Sequence, residues 1–306
     1  MDNQSRKDYW QEAFAIQGSV TPHVLKSVLI FGLVASVICG ATLLAEKYVA
    51  ENMRLDLLPF EFAGAALGLL LVLRTNAGYE RWWEARILWG GIVNQSRNVA
   101  ISGLAYGPKD ARWRSEFVKW AACFSHASRC SLRGEPPSEE IRELLGEEDF
   151  SHLEKAGHLP GFVAMKLALL LQQATTQLGM DQFAFMQVDQ QRALLIDHVG
   201  GCERILKTPL PPVYSIKIRR FITLFLVTLP FALLHRLGGD WLVPLMTMLV
   251  AYPLLSLDQI GVELQNPFYK KNLGHLPLTT ISNTIGGNLE GYLQDDLPAL
   301  ERGSGD

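Results

Sequence analysis

The sequence has few cysteines, little charge and almost no net charge, and each shortage excludes a class of protein. Four cysteines in 306 residues are too few for a disulfide-stapled scaffold. A formal net charge of −3 offers no basic surface for DNA or RNA, so we expect no nucleic-acid partner. Charged residues make up 19% of the chain, against about a quarter in an average soluble domain. The chain is therefore either a helical protein with a large core or a membrane protein with an aqueous part.

The sequence also lacks the short motifs that mark common enzyme sites. It contains no G-x-S-x-G, no P-loop, no G-x-G-x-x-G after a strand and no H-E-x-x-H. We therefore predict no catalytic residue, no cofactor and no enzymatic activity. Cys123, His126 and Cys130 share one face of a predicted helix, but a structural zinc site needs four ligands. Packing of small residues between helices is the simpler interpretation, and we predict no metal.

Four apolar segments stand out along the chain. Residues 27–45 form the longest uncharged run, close to the ~20 residues that cross a hydrocarbon core. Residues 221–234 and 241–257 are shorter, and residues 57–73 are interrupted by Glu61. Together they predict an integral membrane protein with four transmembrane helices per subunit, whose surroundings are the lipid bilayer.

The distribution of basic residues predicts the orientation in the membrane. In a four-span arrangement the loops 46–56 and 235–240 lie on one side, and all Lys and Arg except Lys47, Arg54 and Arg236 lie on the other or within the spans. By the positive-inside rule the basic side is cytoplasmic, which places both termini in the cytoplasm. The membrane we expect is the cell inner membrane. The predicted segments are 1–23 (cytoplasmic), 24–73 (two spans, the second at 57–73), 74–217 (cytoplasmic), 218–262 (two spans) and 263–306 (cytoplasmic).

The cytoplasmic segments have helical periodicity and no strand-like alternation. Apolar residues at helical spacing predict helices at about 110–132, 138–145, 162–178, 182–206 and 279–293. The segment from Arg74 onward contains no proline, so the second span continues as one long helix or as two halves that meet near Gly90 and Gly91. The fold class is therefore an all-α membrane protein with a helical cytoplasmic domain.

The second span carries a stripe that a passive anchor does not need. Leu58, Phe62 and Ala66 repeat at i, i+4 and i+8, on one face of the helix. If several copies of the chain meet around an axis, this stripe becomes a stack of apolar rings, and such constrictions gate pores by dewetting. The alternative is a helix that simply packs in a bundle through Gly64 and Gly68.

Several longer motifs resemble the bestrophins, particularly their prokaryotic branch. These motifs are RTNAGYERWWEARILWG from Arg74, TPLPPVYS before the third span, NPF at 266–268 and LPL at 276–278. The similarity extends over nearly the whole chain. Its signature residues are Pro59, Arg74, Tyr79, Arg81, Trp82, Trp83, Glu84, Pro267 and Phe268.

The resemblance implies a homopentameric ion channel with one axial pore, which conducts small monovalent ions. In that family three residues on the second span line a neck, and the matching positions here are Leu58, Phe62 and Ala66. Relatives carry a large side chain at the third position, so Ala66 departs from the pattern. The family's second narrowing, the cytoplasmic aperture, matches Phe183, with Phe185 and Met186 as alternatives.

The resemblance also leaves the permeant ion open. Lys270 and Lys271 occupy positions at which animal bestrophins have calcium-binding carboxylates, so we predict a calcium-independent channel. Rings of Glu61 or Asp181 facing the axis would favour cations, which is the interpretation we adopt. For Glu61 the alternative is a structural role in the first turn of the helix.

Three further alternatives remain from the sequence. One is an anion channel, with chloride as the ion, of the same family. Another is a non-conducting membrane-anchored enzyme or partner-binding protein. The third concerns Arg74, which could form a ring in the pore but is better placed to pair with Asp258 or Glu263 at the end of the fourth span.

Overall fold

The computed structural model describes residues 9–49, 56–237 and 241–303, with side chains described for 9–44, 56–234 and 241–294. These ranges contain helices and turns but no strand, as the sequence predicts. The helices are α1 (Tyr9–Ala13), α2 (Thr21–Val49), α3 (Leu58–Tyr106), α4 (Ala111–Arg133), α5 (Glu139–Leu145), α6 (Glu147–Glu154), α7 (Leu159–Gln177), α8 (Gln182–Lys207), α9 (Pro212–Leu237), α10 (Leu242–Glu263) and α11 (Leu278–Gly303).

Local capping explains why most predicted helices begin and end close to the observed ones. Asp110 caps α4 by accepting a hydrogen bond from the Trp113 N–H at 2.7 Å, and Gly134 ends it with φ of 65°. Helix α3 is continuous over 49 residues, so Gly90 and Gly91 do not divide it. The two short helices α1 and α6 were not predicted from the sequence.

Among the described residues, three helices are long and apolar enough to cross a membrane. They are Thr21–Leu44 within α2, the whole of α3, and α10. The remaining predicted span lies in α9, which does not meet the same measure among the described residues because Lys217, Arg219 and Arg220 shorten its apolar stretch. A total of four spans therefore stays a prediction. Most of the predicted loops 46–56 and 235–240, including Arg54, lies outside the described residues.

The chain packs as two compact units. The first contains the described parts of residues 1–82, 210–265 and 271–274, and the second contains those of residues 83–209, 266–270 and 275–306. The predicted segment boundaries concern membrane topology rather than packing, so they stay predictions.

In the first unit, α3, α9 and α10 share a buried apolar cluster. Leu71 of α3 packs with Ile222 and Leu226 of α9 and with Ala251 of α10. Further along, α3 and α10 approach closely, since a Cβ atom at Gly78 would lie 3.3 Å from the Gly261 carbonyl oxygen. This close approach brings polar residues of the two helices within hydrogen-bonding distance.

In the second unit, α4 is the central helix. It packs against α7, α8 and α11, and nearly all of its residues from Trp113 to Arg129 are buried. Cys123, His126 and Cys130 are all buried in this helix. The described part of the chain contains no group of three or more side chains that could hold a metal ion.

Candidate functional site

The predicted neck residues lie on one exposed face of α3. Phe62 is 70% exposed, Leu58 is 54% exposed and Ala66 is also exposed. The opposite face is buried, with Leu67 and Leu71 packed in the core of the first unit. The structure therefore brings the three side chains together on a face that the chain's own packing leaves uncovered.

The start of α3 carries a proline and a carboxylate in its first turn. Pro59 has no backbone N–H to satisfy and suits this position. Glu61 is exposed and lies in the same turn, where the helix dipole favours a negative charge. This position fits the structural role of Glu61 as well as a role at the mouth of a pore.

A buried ion-pair network connects α3, α9 and α10 within the first unit. Arg74, 1% exposed, donates through Nη1 to Oδ1 of Asp258, and Arg219 Nε donates to Oδ2 of Asp258 at 2.9 Å. Of the two predicted partners, Arg74 therefore pairs with Asp258. Glu263 instead accepts hydrogen bonds from the Leu273 N–H at 2.8 Å and from Gln259 Nε2 at 2.7 Å.

The pairing of Arg219 with Asp258 was not predicted from the sequence. In the sequence, Arg219 counted only among the basic residues that lie on the cytoplasmic side or within the spans. The available signal was an acid embedded near the end of an apolar helix, which requires a partner in the membrane. An arginine in α3 met that requirement on its own, so nothing in the sequence demanded a second one.

The signature residues in α3 hold the segment that follows α10. Arg81 Nε donates to the Gln265 carbonyl oxygen at 3.3 Å, and Trp82 Nε1 donates to the Gly274 carbonyl oxygen at 2.6 Å. Tyr79 and Trp83 are about half exposed. In the second unit, Glu84 forms an ion pair with Arg204 of α8.

The NPF and LPL motifs form a turn that α4 supports. The Leu276 N–H donates to the Pro267 carbonyl oxygen at 2.8 Å, and Phe268 is fully buried. Arg133, in the last turn of α4, donates to the Phe268 carbonyl oxygen at 3.3 Å. Arg133 was not predicted as a functional residue, because its partners lie more than 130 residues away in the sequence.

The predicted aperture lies at the start of α8. Asp181 caps this helix, and its carboxylate accepts hydrogen bonds from the N–H groups of Phe183 at 2.8 Å and Ala184 at 3.1 Å. Phe183 is 82% exposed and Met186 is also exposed, whereas Phe185 is half-buried. Phe183 is thus not a core residue of this chain, and it lies next to the Asp181 carboxylate that caps α8.

A buried histidine and two buried cysteines of the second unit are neutral at physiological pH. Burial lowers the pKa of His126 to about 4, and the nearby Arg129 guanidinium acts in the same direction. Burial also raises the pKa of the Cys123 thiol and raises that of Cys202 to about 12. These cysteines are therefore unreactive thiols rather than nucleophiles.

Comparisons with known proteins agree with the resemblance. The sequence profile of a family described as "Bacterial/Fungal Bestrophin protein" matches residues 1–291. A voltage-dependent anion channel-forming protein of Nostoc sp. is 33% identical over 97% of this chain and 94% of its own. One from Synechocystis sp. is 31% identical, over 91% of this chain and 89% of its own. The crystal structure of a bacterial bestrophin homologue from Klebsiella pneumoniae is 26% identical with a TM-score of 0.80, over 89% of this chain and 98% of that chain.

Proposed function

Since the chain belongs to the bacterial and fungal bestrophin family, which makes it an integral membrane protein of a channel-type family, we propose that it forms a homopentameric, calcium-independent ion channel. Both termini lie in the cytoplasm in this proposal, and the cell inner membrane is its location. The permeant species are small monovalent ions.

The exposed apolar face of α3 carries the proposal. Leu58, Phe62 and Ala66 span about 12 Å along the helix, at 1.5 Å of rise per residue. Five such faces around an axis give three stacked rings without a formal charge. Phe62 is the bulkiest of the three residues and Ala66 the smallest, so the Phe62 ring is the main constriction of the neck. A narrow apolar ring excludes water until it widens, which provides a gate.

The permeant ion is an anion in our first proposal, because the relatives from Nostoc sp. and Synechocystis sp. are named anion channel-forming proteins. The cation channel expected from the sequence is the second candidate. Its support is that Glu61 and Asp181 are both exposed, each near a predicted constriction residue. The neck face is apolar, so selectivity depends on charges at its ends.

Single-channel recording in planar bilayers tests the neck. We expect Phe62→Ala to raise the conductance, because it removes the largest ring of the constriction. Phe221→Ala is the matched control, since Phe221 is also an exposed phenylalanine in an apolar helix but lies on α9. An unchanged conductance in Phe62→Ala, or an equal rise in both variants, contradicts the proposed neck.

The sign of the reversal potential under a salt gradient tests selectivity. Glu61→Gln and Asp181→Asn remove one charge each with little change of shape, and Asn still caps a helix well. In the anion channel we expect the wild type to prefer anions and neither variant to lose that preference. A cation-selective wild type that loses selectivity in either variant supports the second candidate. A monomeric particle without current contradicts both.

A further inference from the structure

One face of α9 combines two arginines with a long apolar groove. A groove of about 520 Å³ runs past Ile216, Arg219, Arg220, Thr223, Leu224 and Val227, all on α9. These residues follow the i, i+3, i+4 spacing of a single helix face. Both guanidinium groups belong to the N-terminal half of the groove, and its C-terminal half is apolar.

A second, more polar cavity adjoins this groove. It measures about 360 Å³ and lies among α2, α9 and α10. It shares Arg219 and Thr223 with the groove and adds His23, Ser27 and Gln259 as hydrogen-bonding side chains. Asp258 also lines this cavity, but each of its carboxylate oxygens already accepts a hydrogen bond from an arginine.

The ion-pair network beside these cavities carries an excess positive charge. Two guanidinium groups, those of Arg74 and Arg219, share the single carboxylate of Asp258. The buried Nε and Nη2 atoms of Arg74 have no hydrogen-bond partner among the described residues. A net positive charge next to an apolar environment favours an anion close by, because the low dielectric strengthens their attraction.

The apolar half of the groove fits within one leaflet of a bilayer. From Arg220 to Val227 the helix rises about 10 Å at 1.5 Å per residue, which is less than half of a 30 Å hydrocarbon core. Arg219 and Arg220 lie in the N-terminal half of the groove, where α9 leaves its apolar stretch, the level at which arginine side chains reach phospholipid headgroups.

We propose that this face of α9 binds one anionic phospholipid. Arg219 and Arg220 hold its phosphate, and the adjoining cavity takes the remainder of the headgroup. One acyl chain lies along Leu224 and Val227. The site depends on the membrane location of the protein and not on conduction.

Native mass spectrometry of the purified full-length protein in detergent tests the site. Phosphatidylglycerol and phosphatidylcholine with identical acyl chains are titrated separately, and bound lipids are counted per subunit. We expect preferential binding of phosphatidylglycerol at one lipid per subunit. Because an arginine near the headgroup contributes about 1 kcal/mol, Arg220→Gln and Arg219→Gln should each weaken this binding about fivefold. Arg220→Gln leaves the network around Asp258 intact.

Lys217→Gln is the matched control, since it removes the same charge from the same exposed helix end but Lys217 does not line the groove. We expect a change of less than about twofold. Equal losses in Lys217→Gln and Arg220→Gln would overturn the proposal in favour of general attraction to the membrane surface. Equal binding of the two lipids also overturns it.

Two further results identify another occupant. Glycerol 1-phosphate, which has the phosphate but no acyl chain, should not displace the lipid at equal concentration. Displacement by it overturns the role of the apolar groove. If Arg220→Gln changes the number of subunits per particle and leaves lipid occupancy unchanged, a second copy of the chain covers this face and the proposal is wrong. None of these measurements uses current, so they are independent of the proposed channel function.

Discussion

Replacing Asp258 with Asn removes the carboxylate that Arg74 and Arg219 share. Arg74 is 1% exposed and keeps no counter-charge in this variant. Removing one partner of a buried ion pair costs about 3–5 kcal/mol, because the remaining charge stays buried without compensation. We therefore expect Asp258→Asn to lower the free energy of unfolding by about that amount.

Substitution of either arginine in the network should lower the free energy of unfolding by a smaller amount. In Arg74→Met the carboxylate of Asp258 keeps its hydrogen bond from Arg219 Nε at 2.9 Å, and the buried unpartnered N–H groups of Arg74 disappear. We expect a loss of about 1–2 kcal/mol, below the cost of leaving a buried charge unpaired. The Arg219 side chain is 55% exposed, so Arg219→Gln should cost at most about 1 kcal/mol.

Reversible unfolding by denaturant in detergent micelles measures this order. We expect the largest loss in the free energy of unfolding for Asp258→Asn, a smaller one for Arg74→Met and the smallest for Arg219→Gln. A loss in Arg74→Met as large as that in Asp258→Asn would refute the reasoning, because it would mean that Arg219 does not compensate Asp258. Losses below about 0.5 kcal/mol in all three would show that the network is not buried in the folded protein.

Three other predictions concern a close helix contact, a buried histidine and calcium. A Cβ atom at Gly103 would lie 2.2 Å from Phe117 Cε1, so Gly103→Ala should lower the free energy of unfolding by denaturant by about 1–3 kcal/mol. A Cβ atom at Gly200 would have no other atom within 4 Å, so Gly200→Ala should stabilise α8 by up to about 1 kcal/mol. Because the pKa of His126 falls from 6.5 in the unfolded chain to about 4, its contribution to stability is complete above pH 6.5 and falls as pH drops towards 4; by pH 5 the wild type should lose about 2 kcal/mol that His126→Gln does not lose. Calcium chelation should leave the current unchanged, and a current abolished by chelation contradicts the absence of a calcium site near Lys270 and Lys271.

The positions of the long helices were predictable because their signals are local. Asp110 precedes α4 and Gly134 follows it, and each caps its end of the helix through hydrogen bonds to neighbouring residues. Helix α6 escaped prediction because it has only eight residues, and its burial of Phe150 and Leu153 depends on packing against other helices.

The exposed face of α3 was predictable in part. A repeat at i, i+4 and i+8 determines that Leu58, Phe62 and Ala66 share a face, because helix geometry is fixed. The repeat does not determine whether that face packs inside the chain. Burial of Leu67 and Leu71 on the opposite side decides the matter, and this depends on residues of α9 and α10 more than 140 positions away.

The sequence by itself thus determined the helical class, the apolar segments, the family and the candidate site residues, since each rests on composition, period or a contiguous motif. Tertiary structure alone decided which charges meet and which side chains stay uncovered. Arg219 could be counted in the sequence, but its bond to Asp258 required α9 and α10 to pack side by side. Phe183 has an aromatic side chain of the kind usually found in a core, and only the packing of α8 leaves it 82% exposed. Pairing and exposure depend on distances in space between residues far apart in the chain, which no local pattern records.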